Sequence, residues 1–68
     1  MDEKTKELVV IAASIAGHCR HCFETHLTKA KELQVSLDDI KEAIELAMSC
    51  SRSGTMDIYK FAKVLIDK

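Results

Sequence analysis

The chain has 68 residues, 47% of them hydrophobic, and its ten basic and eleven acidic side chains leave a formal charge of −1. That length holds one small core, so a single domain over residues 1–68 is expected. A lone core below roughly 70–80 residues supplies only about 3–5 kcal/mol, so self-association is expected as well. The balanced charge excludes the broad basic field that draws nucleic acid phosphates.

Taken in chain order, the start Asp2, Glu3, Lys4 is unlike the basic opening of a secretory leader, and the apolar stretch from Leu8 to Ala16 is too short to span a bilayer. A cytoplasmic protein with no membrane partner is expected. The first helix is predicted from about Glu3 to Ala16, with apolar residues on nearly every side, so that it should be buried all round. The run Val9, Val10, Ile11 would also suit a buried strand, but the charged approach and the following alanines favour helix. Gly17 stands where this helix should end.

A second helix is predicted from about Cys19 to Leu33, with Cys22, Phe23, His26, Leu27, Ala30 and Leu33 in one stripe. Arg20, Glu24, Thr28, Lys31 and Glu32 take the opposite face. Ser36, followed by Asp39, approximates a capping box and opens a third helix running to about Met48, with Leu37, Ile40, Ala43, Ile44 and Ala47 facing the core. Residues 49–54 read as a turn. Thr55 then caps a fourth helix expected to bury Ile58, Phe61, Ala62, Leu65 and Ile66. Proline is absent and no internal repeat is visible. The fold class is therefore all-α, a small domain of about four helices.

The chemistry gathers in Glu7, Cys19, His21, Cys22 and His26. Three cysteines, an odd number, in a reducing compartment point to redox or metal chemistry rather than to a structural disulfide framework. If the first two helices form an antiparallel pair, Glu7 and His26 both lie roughly 14 Å from the turn, at ~1.5 Å per residue, and can meet across it. Cys19, Cys22 and His26 share one narrow helical face. Cysteines three apart in a first helical turn lie within the ~4.4–6.8 Å Cα separation a disulfide needs. The helix N-terminus favours thiolate, for Cys19 most.

His26, oriented by Glu7, can then act as a general acid and base. Lowering a thiol pKa from about 8.5 to about 6.5 raises its thiolate share at pH 7 from ~3% to ~75%. Falling nucleophilicity returns roughly six- to tenfold of that gain. General acid-base assistance is worth ~10²–10⁴, so proton delivery by His26 ranks above thiol activation.

A second reading uses Cys19, Cys22 and His26 as zinc ligands, with Glu7, His18, His21 or Cys50 as the fourth, in a structural or interaction module without turnover. On the residues alone, His18 and His21 read as partly exposed, and Cys50 as an inert apolar residue.

The pattern Glu7-x11-Cys19-Arg20-His21-Cys22-x3-His26 resembles the signature of AhpD-like alkylhydroperoxidases in the carboxymuconolactone decarboxylase superfamily. The similarity extends from about Lys6 to Ala47. It implies an all-helical fold, homo-oligomers that are commonly trimeric or hexameric, and thiol-dependent reduction of peroxides without a cofactor. Small members with this motif also serve as disulfide reductases, and the electron donor is a further thiol whose identity is open. By the resemblance, Cys19 and Cys22 are the redox pair, Cys22 is usually given the peroxide attack, and Glu7 and His26 occupy the proton-relay positions. His21 matches a histidine found between the cysteines in some members. The decarboxylase that names the superfamily lacks the paired cysteines, so the resemblance argues against lactone decarboxylation. From the residues alone, either cysteine can attack first.

Overall fold

The fold is taken from a computed structural model, which describes the backbone of residues 1–50 and 55–66 and the side chains of residues 1–50 and 61–66. The helices are α1 (Glu3–Ala16), α2 (Arg20–Glu32), α3 (Leu37–Cys50) and α4 (Thr55–Ile66). No strand occurs among the described residues, and the run Val9, Val10, Ile11 is helical. Ser49 and Cys50, expected in the turn over 49–54, instead continue α3, whose backbone pattern runs on past Met48; the rest of that turn, the Thr55 cap and the burial of Ile58 lie outside the described residues.

Local chemistry sets the helix ends. Asp2 is the N-cap of α1, and its carboxylate accepts the Thr5 backbone N–H at 2.7 Å. That donated proton favours the charged form and holds Asp2 below its ordinary value of 3.8.

At the other end of α1, His18 N–H donates to the Ile15 carbonyl at 3.2 Å and Cys19 N–H to the Ser14 carbonyl at 2.9 Å. These crossed bonds form a Schellman turn. Gly17 does close the helix, but the left-handed residue is His18, at φ 57°, while Gly17 itself sits at φ −87°. A Cβ on Gly17 would lie 3.1 Å from the Ala13 carbonyl oxygen, so close approach is what this position asks of its residue.

The same turn ends α2. Gln34 takes the left-handed position at φ 63° and donates to Lys31, while Val35 N–H reaches the Ala30 carbonyl, both at 3.0 Å. Ser36 Oγ then accepts the Asp39 N–H at 3.1 Å and starts α3. The reciprocal half of the capping box is not formed, as suits an aspartate one carbon shorter than the usual glutamate.

Among the described residues α1 packs against both α2 and α3. Ile11, Ala30, Val35 and Ile40 form the buried core, with Leu8, Phe23, Leu27 and Ile44 against it. Ile11 is fully buried, which contributes about 1.5–3 kcal/mol.

Three burial expectations need correction. α1 is not buried all round: Glu7, Ile11 and Ser14 form one buried stripe, and Val9 is 49% exposed. Two neighbouring helices cover a stripe of a cylinder, not its whole circumference. On α3, Ile40 and Ala47 are buried and Ala43 and Ile44 half-buried, but Leu37, in the first turn, is exposed. On α4, Phe61, Val64, Leu65 and Ile66 are all exposed and only Ala62 is half-buried, so its apolar face is uncovered over the described side chains.

Candidate active site

Cys19 belongs to two elements at once. It completes the Schellman turn of α1, and it is the N-cap of α2 in an extended conformation. Its Sγ accepts the Cys22 backbone N–H at 3.2 Å. A cysteine thus stands where serine, threonine or aspartate usually caps a helix. A thiolate there would gain a charge-assisted hydrogen bond at the positive end of the helix dipole. The Cα atoms of Cys19 and Cys22 are 5.3 Å apart, and the two residues are joined by a disulfide.

Glu7 is buried on α1, and its Oε1 lies 2.7 Å from Nδ1 of half-buried His26 on α2. An ionised carboxylate only accepts, so Nδ1–H donates and Nε2 is left for exchange with other groups. His26 follows Cys22 by one helical turn. Residues four apart on a helix have Cβ atoms roughly 5–6 Å from one another, so by position along α2 His26 stands nearer to Cys22 than to Cys19, seven residues before it.

A cleft of about 410 Å³ opens where α1 meets α2. Ser14, Ile15 and Phe23 line it together with Cys19 and the exposed side chains of His18, Arg20 and Glu24. Of the five residues singled out in the sequence, Cys19 alone reaches this cleft. Glu7 and His26 are bonded to each other, Cys22 is bonded to Cys19, and His21 is exposed on the first turn of α2, outside the cleft.

Ser14 and Arg20 were not legible as site neighbours. Ser14 hides in an apolar run, with its hydroxyl bonded to the Ile11 carbonyl at 2.7 Å. The signal that finds it is the stripe Glu7, Ile11, Ser14 carried into the turn. Arg20 reads as surface by periodicity, because the cleft sits at the helix end, where periodicity no longer sorts faces.

Cys50 is an exposed free thiol at the end of α3. Among the described residues no three His, Cys, Asp or Glu side chains are arranged to hold a metal ion, so the zinc reading finds no ligand set there. No described helix is long and apolar enough to cross a membrane.

Among the described residues, four helices make a small all-α domain, and the Cys-x-x-Cys pair at disulfide distance at the start of the second fits a thiol-redox centre. Residues 1–63 match the carboxymuconolactone decarboxylase family, and the chain belongs to that family. The match reaches further at both ends than the motif resemblance over Lys6 to Ala47, and is consistent with an AhpD-like core. No curated protein and no solved structure matches the chain.

Proposed function

We propose that this chain is a cytoplasmic thiol oxidoreductase, working as a homo-oligomer, that reduces hydroperoxides or a disulfide by cycling Cys19 and Cys22. The observation that carries the reading is the Cys19–Cys22 disulfide at the capped start of α2, with His26 further along the same helix bonded to Glu7 of α1. Family membership supports it at the coarser level of the fold, and the Cys19–Cys22 pair at disulfide distance fits an AhpD-like redox centre.

In the oxidative half-reaction, a cysteine thiolate attacks the outer oxygen of the hydroperoxide. A sulfur–oxygen bond forms, the oxygen–oxygen bond breaks, and the alkoxide leaves as alcohol with a proton from His26. The second thiolate then attacks the sulfenic sulfur, which forms the disulfide and releases water. Two electrons pass from the dithiol to the peroxide, and an external thiol returns them. Glu7 orients the imidazole by accepting its Nδ1–H. His21 enters through the family resemblance alone.

Self-association is supported by the exposed apolar side chains of α4, for which a second copy offers a matching face. The test of activity is turnover with dithiothreitol as the reductant, comparing cumene hydroperoxide, hydrogen peroxide and oxidised glutathione. The proposal expects catalytic consumption of at least one of them, lost in both Cys19→Ser and Cys22→Ser. Turnover that survives either substitution would remove the pair from the chemistry.

A further inference from the structure

We infer that the cleft at the α1–α2 junction receives the reducing thiol, and that this thiol attacks Cys19 and not Cys22. The inference rests on the redox reading above and adds to it a binding site, a direction of attack and a ligand class. Three observations converge on it.

The first is access. The cleft is lined by Cys19 but not by Cys22, Glu7 or His26, so a molecule held in it meets one sulfur of the disulfide only.

The second is the fate of the leaving group. Attack on Cys19 makes Cys22 the departing thiolate, and thiol exchange is faster when the leaving sulfur is stabilised. Cys22 has His26 one turn further along the same helix, with Nδ1 bound to Glu7 and Nε2 available to hand over a proton. Attack on Cys22 would instead release Cys19, which stands seven residues before His26 and so further from it along the helix.

The third concerns the second step. Once the donor is joined to Cys19, a further donor thiolate attacks the donor's own sulfur in the mixed disulfide and expels Cys19 as thiolate. The Cys22 N–H, 3.2 Å from Cys19 Sγ, is placed to stabilise that charge. Each leaving sulfur therefore has its own stabilising group.

The electron balance closes with the donor alone. One thiolate forms a sulfur–sulfur bond to Cys19 as the Cys19–Cys22 bond breaks, and a second forms the donor disulfide as the bond to Cys19 breaks. Two electrons enter the protein, and each cysteine takes up one proton. The cleft wall fits a small zwitterionic thiol of the cysteinyl-peptide type. Ile15 and Phe23 offer apolar contact, while Arg20 and Glu24 present a cation and an anion to a carboxylate and an ammonium.

Trypsin separates the two sulfurs, because cleavage after Lys6, Arg20 and Lys29 places Cys19 and Cys22 in different peptides. The oxidised full chain is mixed with glutathione, quenched with acid within seconds, alkylated and mapped by mass spectrometry. Glutathione is expected on the peptide 7–20, with Cys22 alkylated; glutathione on 21–29, with Cys19 alkylated, overturns the inference. If the adduct resolves before quenching, oxidised glutathione must label the Cys22→Ser variant faster than Cys19→Ser, and equal or inverted rates overturn it.

Ile15→Trp, which fills the cleft, should slow reduction by glutathione at least about tenfold, as a misfit in a shaped pocket does, while β-mercaptoethanol is slowed less. Equal slowing with both thiols overturns the cleft as the binding site. A pair that neither oxidises nor re-reduces sinks the redox reading itself, which is a different result from a label on the wrong cysteine.

Discussion

Glu7 and His26 are nineteen residues apart in the chain and 2.7 Å apart in space. The bond joins α1 to α2 away from the turn that contains Cys19, so the two helices are tied at both places. Removing the imidazole leaves a buried carboxylate without its partner, which costs about 1–3 kcal/mol.

His26→Ala is therefore expected to lower the melting temperature and to slow peroxide consumption by roughly 10²-fold, the lower end of the range for a lost general acid. Glu7→Gln keeps an acceptor for Nδ1–H but loses the charge, so its rate should fall less. The thiol count, measured with a chromogenic disulfide under denaturing conditions, should be unchanged in both. Rates equal to the parent would take the pair out of the mechanism.

Ile11 is the one large side chain that is fully buried among the described residues. Ile11→Ala should cost about 2–5 kcal/mol, as large-to-small core changes do. That is comparable to the whole stability of a core this size, about 3–5 kcal/mol. Urea titration of the variant is expected to show a transition shifted far towards zero denaturant or none at all, and a midpoint within experimental error of the parent would contradict the core described above.

Gln34 occupies a left-handed position that glycine adopts without cost. Gln34→Gly should raise stability by up to about 1 kcal/mol, read from the urea midpoint, because it relieves the Cβ–carbonyl contact at φ 63°. The position is remote from the cysteines, so the rate of disulfide formation should not change.

These positions also show where sequence reading works and where it stops. α1 ends at Ala16, just before Gly17 as that glycine predicts, and Ser36 caps α3, because both signals are local to the residues that create them. The Glu7–His26 contact follows from helical rise alone, given a hairpin. His18 and Gln34 could not be found that way. A left-handed residue is normally signalled by glycine, and here the crossed hydrogen bonds of the turn impose the conformation on residues that do not prefer it. Burial on α1 was overestimated because hydrophobic content does not say how many neighbours a helix has. Ser14 and Arg20 join the cleft through the turn geometry, which no spacing rule encodes.

The exposed Phe61, Val64, Leu65 and Ile66 lead to a prediction about mass. In sedimentation at micromolar concentration the protein should run well above its 7.6 kDa monomer mass. Leu65→Glu and Phe61→Glu together should shift it towards the monomer, because a buried unpaired charge disfavours association. A parent that sediments as a monomer would contradict self-association.

The central claim is that Cys19 and Cys22 form a disulfide that opens and closes in turnover, and intact-mass measurement tests it most directly. Fully reduced Cys50→Ser protein, treated with an equimolar hydroperoxide, should lose the mass of two hydrogens, with one internal Cys19–Cys22 bond, and regain them on addition of dithiol. Metal analysis of the same sample should find no stoichiometric zinc. A mass that stays constant through the peroxide step, with zinc bound one to one, would contradict the account.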